Sequence, residues 1–124
     1  MITPSQTLRP YQKLVAWQEA HKLCRGIYEI TKSFPKIEMY RLVDQMCRAA
    51  ASAPTNIAEG SRKTSQKERA RYYEISLCSI EELHYQCVLA LDLGYITQEQ
   101  FTKIEPHIRR TSFLIHKLHA SCFA

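Results

Sequence analysis

The stretch Gln45–Gly60, reading QMCRAAASAPTNIAEG, constrains this chain more than any other. It opens as a helix of small residues, with Ala49, Ala50, Ala51, Ser52 and Ala53 in succession. The distance between packed helices depends on the side chains at their contact, so this face belongs at the centre of a helical bundle. Pro54 lacks a backbone donor and its ring crowds the carbonyl of Ala50, which predicts a kink or a break. The residues after it, Asn56-Ile57-Ala58-Glu59, still read as helix, with Gly60 in the position of a C-terminal cap. Polar groups at the tip of such a helix need partners. Asn56 is expected to bond backbone or a neighbouring helix, and Glu59 to pair with a basic residue such as Arg48.

The rest of the chain is written around that helix. Residues 1–10 hold two prolines and no periodicity, and predict a tail before a single domain over 11–124. The first helix is expected from near Pro10 to Ser33, with Trp17, Ala20, Cys24, Ile27, Thr31 and Phe34 at alternating spacings of three and four. Phe34-Pro35 ends it, and the second helix follows from about Glu38 to Glu59. Ser65-Gln66-Lys67-Glu68 is a capping-box pattern, in which serine accepts from the Glu68 amide while the carboxylate reaches back. The third helix then runs to about Leu93 with a seam of Tyr73, Leu77, Ile80, His84, Cys87 and Leu91, and Gly94 stops it. Thr97-Gln98-Glu99-Gln100 is a second capping box. It opens a fourth helix with a seam at Phe101, Ile104, Ile108, Thr111, Ile115, Leu118 and Cys122, where Pro106 is expected to bend the helix or delay its regular start. Helices joined by short turns predict an all-α, antiparallel up-down-up-down four-helix bundle, its second helix kinked at Pro54.

Composition agrees with that architecture. A length of 124 residues suits one domain, and with 45% hydrophobic residues it can bury a core without a staple. The longest apolar run, Cys87–Leu91, is far short of the ~18 residues that suggest a membrane helix. The N-terminus has neither the basic nor the apolar region of a secretory signal, so a soluble, cytoplasmic protein is expected. The five cysteines are odd in number, lack a CxxC pair and lie in helical apolar patterns. Buried, reduced thiols are the expectation.

Metal and catalytic chemistry are poorly represented. His84 and Cys87 share a helix face at i, i+3, but no second pair of ligand spacing accompanies them, and no Glu-x-x-His pair of the di-iron kind occurs. The chain carries no Gly-rich phosphate loop, G-x-S-x-G or H-E-x-x-H pattern. No metal, no cofactor and no enzymatic activity are expected.

Charge is more informative. The net charge is +5, yet between Tyr72 and Thr102 there is no Lys or Arg, and Glu74, Glu81, Glu82, Asp92 and Glu99 stand uncompensated. That stretch carries −5, so the remainder carries +10. Arg62, Lys63, Lys67, Arg69 and Arg71 fall within ten residues and are opposed only by Glu68. Backbone amides and the dipole at a helix start also favour anions. Tyr72 and Tyr73 follow directly, in reach of stacking on bases. With Arg48, these basic residues are the candidate contacts to nucleic-acid phosphate; the competing reading is a solvated helix face.

These motifs resemble the bacterial four-helix-bundle proteins encoded in intervening sequences of 23S ribosomal RNA genes, a fold family that includes accessory proteins of diversity-generating retroelements. The resemblance rests on Trp17-Gln18-x-Ala20, Ile27-Tyr28 and Phe34-Pro35, on Gln45-Met46-x-Arg48-Ala49-Ala50-x-Ser52 with Pro54 and Asn56-Ile57-Ala58-Glu59-Gly60, and on Arg71-Tyr72, Ser79, Glu82-Leu83 and Leu93-Gly94-Tyr95-Ile96. Cys78 and Arg62 depart from it, each standing where the family usually has glycine. The resemblance implies a homopentamer with a basic surface able to bind RNA or DNA, and no enzyme. It marks Trp17, Pro54, Asn56, Glu59 and Gly60 as structural motif residues. A second implied role is an assembly adaptor that docks a protein such as a reverse transcriptase.

Overall fold

The computed structural model describes residues 7–123, so residues 1–6 of the expected tail lie outside the described residues. Four helices carry the chain: α1 (Val15–Ile30), α2 (Leu42–Ser61), α3 (Gln66–Asp92) and α4 (Gln98–Ala120). Among the described residues there is no strand. The most extensive contact is between α2 and α3; α3 packs on α4, α1 on α2, and α1 on α4 closes the ring. Short connections between packed neighbours make the bundle antiparallel, as the sequence predicts.

The helix ends differ in instructive ways. The first helix is not continuous from Pro10: a 3-10 turn (Pro10–Lys13) comes first, and Leu14 is extended (φ −74°, ψ 127°) before α1 begins. Between Phe34 and α2 lies a second turn, Lys36–Glu38, so α2 starts at Leu42 rather than near Glu38. Pro54 does not break α2, which runs from Leu42 to Ser61 with the proline buried inside it. Just past it, the Thr55 and Asn56 side chains donate to the carbonyls of Ala51 (2.7 Å) and Ser52 (2.9 Å). Pro106 likewise lies within an uninterrupted α4. Of the two capping boxes, Thr97–Gln100 is complete, with bonds of 3.1 and 2.8 Å. Ser65 accepts from the Glu68 amide (3.0 Å), but the Glu68 carboxylate turns to Arg71 instead of reaching back.

Gly60 is not a cap. It is helical, and a Cβ placed on it would lie 2.8 Å from Tyr72 Cβ and 2.9 Å from the Tyr73 ring. Glycine is there because α3 passes too close for any side chain. The capping glycine is Gly94, at φ 77°. There the Tyr95 amide reaches Ala90 O (2.9 Å) and the Gly94 amide reaches Leu91 O (3.0 Å), the paired bonds of a Schellman motif.

The α2–α3 contact is close at Gly60 and at the serine bonds that cross it. Ala49, Ala50, Ala53, Ile57 and Gly60 are buried on α2, facing Tyr73, Ser76, Ser79, Ile80 and Leu83 on α3. Polar groups caught in it are satisfied: Ser76 donates to Ala53 O (2.9 Å) and Ser79 to Ser52 Oγ (2.8 Å), while Asn56 Nδ2 donates to Ser52 O and Oγ (2.9 and 3.0 Å). The third-helix seam is therefore broader than its apolar spacing: Ser76, Ser79 and Gln86 are buried, whereas Leu77, His84 and Leu91 are half-buried. Ile27, Met46, Ile57, Leu83 and Ile115 fill the centre, each such side chain contributing about 1.5–3 kcal/mol by burial. The described cysteines are all free. Cys87 and Cys122 are buried as expected, Cys24 and Cys47 half-buried, and Cys78 is exposed because it falls on the outer face of α3. Burial pushes the Cys87 thiol up to about 12, leaving it unreactive.

At one end of the bundle the connection before α2 is tied to the connection after α3. Glu38 is buried and accepts from the Tyr95 hydroxyl (2.7 Å), and the Phe34 and Tyr95 rings lie 5.3 Å apart. The hydroxyl holds Glu38 below its ordinary carboxyl range, and the carboxylate in turn raises Tyr95. A lowered carboxyl stabilises the fold above its unfolded value and loses that contribution as pH falls through the folded one; a raised phenol stabilises below its unfolded value and loses it as pH rises. Tyr95→Phe is thus expected to lower the melting temperature at neutral pH, with the deficit shrinking below about pH 4 and above about pH 10, as read by melts across pH. Gly60→Ala forces α3 outward and is expected to lose about 1–3 kcal/mol by denaturant titration despite alanine's better helix propensity.

Candidate nucleic-acid interface

The opposite end of the bundle is where α2 finishes, α3 starts and α4 finishes, with the turn Pro10–Lys13 beside them. A cleft of about 320 Å³ marks the junction, lined by Pro10 and Leu14, by Ser61, by Arg69 and Tyr73, and by Leu118 among others. The topology therefore collects on one end Arg62, Lys63, Lys67, Arg69 and Arg71, together with Arg9, Lys13 and Lys117 from distant parts of the sequence. Glu59, Glu68 and Glu74 are the acids nearby. Arg9, Lys13 and Lys117 are invisible as part of this cluster in a linear reading; knowing which helix ends coincide is what reveals them.

Few of these charges are spent on structure. Arg62 and Lys67 are exposed and have no ion pair among the described residues. Arg71 meets Glu68 at 3.8 Å with both side chains largely in solvent, a contact worth little. Lys63 lies over the Tyr72 ring, 4.9 Å from its centroid. Arg69 is half-buried; its Nη2 donates to Thr64 O at 3.3 Å while its Nε is buried without a partner. Lys67 and Arg69 occupy the first turn of α3, where the helix dipole disfavours cations. A set of cations that repel one another, on a helix end of the wrong sign, is better suited to an anion than to the fold.

Three expectations for this region need correcting. Tyr73 is 3% exposed and belongs to the core, because its ring packs over Gly60; only the half-buried Tyr72 remains near the surface. Arg48 is not part of the cluster: it is fourteen residues before Arg62 on one helix, about 21 Å along the axis, and pairs with Asp44 at 3.0 Å. For the same reason Glu59 does not pair with Arg48; it stands exposed with no ion-pair partner among the described residues.

Elsewhere two carboxylates, Glu19 and Glu105, join helices. Glu19 on α1 takes His107 and Arg110 of α4, each at 3.4 Å, and Lys22 at 3.4 Å. Burial alone raises this carboxyl, but those cations outweigh it and hold it below its usual range. Glu105 is bonded by Arg109 and lies 3.3 Å from His84, and the Arg109 bond lowers it. His84 thus turns to α4 while Cys87 sits in the core, so the two do not form a joint site. No group of three His, Cys, Asp or Glu side chains suited to a metal occurs among the described residues. Nor is any described helix long and apolar enough to cross a membrane.

Fold and charge together define a four-helix bundle with one cation-rich end and a close, serine-bonded central helix pair. The chain matches the 23S rRNA-intervening sequence protein family over residues 12–117 and belongs to that family. Among solved structures it is similar to a protein of unknown function from the S23 ribosomal protein family of Bacteroides thetaiotaomicron. The TM-score is 0.76 with 20% identical residues, over 85% of this chain and 98% of that one, a likeness of fold. Comparison with curated proteins gives no match.

Proposed function

We propose that the protein is a non-enzymatic, oligomeric nucleic-acid-binding bundle whose basic end contacts phosphates. The observation that supports this most is the convergence of eight Lys and Arg residues from four chain segments on one end, of which Arg62 and Lys67 are exposed with no ion pair among the described residues. Long basic side chains on a surface contact phosphates rather than base edges, so this end by itself confers little sequence preference. RNA is the favoured partner within this reading, given the family's association with ribosomal RNA genes.

A second reading, an adaptor that docks a protein, draws on the other end. There Ile37, Met39 and Leu93 are at least half exposed and Tyr40 is 86% exposed. Tyr11 and Tyr95 are half-buried, on Trp17 and on Glu38. The remaining apolar surface suits a subunit contact, and a homopentamer is the assembly proposed.

Two measurements test these points. Neutralising about five phosphates gives a salt slope near −4.5, hence roughly 500-fold weaker binding at 200 mM than at 50 mM salt. Lys63→Glu/Arg71→Glu should reduce both affinity and slope on single-stranded RNA and on duplex DNA; binding indifferent to salt and to charge reversal refutes the reading and favours the adaptor. Sedimentation at micromolar concentration should report about five times 14.4 kDa, and a clean monomer excludes the pentamer.

A further inference from the structure

Beside the basic end, between α1 and α2, lies a groove of about 390 Å³ whose lining is unlike the rest of the surface. One wall is aromatic: Trp17 and His21 are stacked, with centroids 4.9 Å apart and planes 7° from parallel, and Tyr11 meets Trp17 edge-on at 5.1 Å. The other wall is α2, where Pro54 and Thr55 lead to Glu59. Thr55, Glu59 and Arg62 follow at i, i+4 and i+7, so this wall runs one helical turn from the carboxylate straight into the exposed cations of the α2–α3 turn.

Packing accounts for Trp17 and Pro54 but not for Glu59, an exposed carboxylate with no ion-pair partner among the described residues, facing aromatic rings. A cationic occupant is disfavoured by Arg62 and Lys63 next to it. A flat, neutral group bearing hydrogen-bond donors on its edge, and carrying its negative charge one step away, fits all of these features. We propose that this groove holds one unpaired guanine of a single strand, stacked against the Tyr11–Trp17–His21 wall, with Glu59 accepting from the base N1–H and N2–H and Arg62 on the adjoining phosphate. Guanine is the base that offers two adjacent donors to one carboxylate; the other bases present one donor or place acceptors beside it. Splayed single-stranded bases read by stacking and edge hydrogen bonds are the usual mode of RNA recognition. The inference rests on the nucleic-acid reading above and adds a base preference and a preference for single strands.

Trp17 is the chain's single tryptophan, so its emission reports on the groove directly. The full chain is titrated at fixed salt with a short all-uracil strand, with the same strand carrying one central guanine, and with inosine in place of that guanine, which keeps N1–H and lacks the N2 amine. The guanine strand should bind about tenfold tighter than uracil and quench Trp17, with inosine between them. Glu59→Gln should abolish the guanine advantage; should that variant not fold, the inosine comparison on the wild-type chain decides. Equal affinity for all three strands with unchanged Trp17 emission, while binding still falls with salt, overturns the groove inference and leaves the phosphate reading standing. No binding of any strand overturns both. Quenching of Trp17 by an arginine-rich peptide and not by the guanine strand overturns the inference in favour of protein docking.

Discussion

The close approach of α2 and α3 is the constraint on which the rest of the structure depends. Gly60 lies where a methyl group would be within 3 Å of both Tyr72 Cβ and the Tyr73 ring. Helices held that near need small residues along the contact, supplied by Ala49, Ala50 and Ala53, and need every trapped hydroxyl to find a partner. Ser76 and Ser79 do so on Ala53 O and Ser52 Oγ. These bonds connect specific atoms on both helices, so they fix sliding as well as distance, which a purely apolar seam does only loosely. The register in turn decides where the chain emerges from α2 and re-enters α3. That position gathers Arg62, Lys67 and Arg71 at the end of the bundle rather than along its side.

The two ends obey different physics. At one, charge is consumed by the fold: Glu38 is buried, bonded to Tyr95 and 3.4 Å from Arg41. The middle is similar, with Glu19 and Glu105 drawing in the cations of α4. At the other end cations outnumber acids and one guanidinium nitrogen, Arg69 Nε, is buried without a partner. Unpaired like charges at a helix start weaken a fold slightly, by a few tenths to about 1 kcal/mol each. Arg62 and Lys67, exposed and with no ion pair among the described residues, have their charge available for a ligand.

Much of the fold was legible in the sequence because its signals are local. Spacing of apolar residues located the helices, and Thr97 with Gln100 marked a helix start correctly. What misled was equally physical. Gly60 reads as a stop, since glycine ends helices more often than it accommodates a neighbour; only the tertiary contact distinguishes the two. Pro54 reads as a kink or a break in a helix whose pattern resumes at Asn56, and α2 does run on through the proline to Ser61. Tyr73 carries two sequence readings, a residue of the third-helix seam and, after Arg71 and Tyr72, an aromatic in reach of bases; the helical turn places it inward, with the seam. The basic turn itself was visible as a run of charge. Its extension to Arg9, Lys13 and Lys117 was not, because that depends on the antiparallel path of the chain.

The motif that organises the core also borders both proposed contact surfaces. Along α2, Ala50, Ala53, Ile57 and Gly60 are buried in the bundle, while Ala51, Thr55, Ala58 and Glu59 line the groove beside α1 and Arg62 follows three residues after Glu59. A helix has room for both stripes only if the inward one is narrow, and small residues are what make it narrow. The same alanines that let α3 approach thus leave a second face of α2 open beside Trp17 and His21. Glu59 stands one residue before Gly60 and Arg62 two residues after it, so their spacing is set by the helix itself. Any ligand that spans them meets a rigid ruler anchored in the most tightly packed part of the molecule. A site built in this way needs no loop to order on binding, and substitutions that loosen the α2–α3 contact should disturb it from a distance.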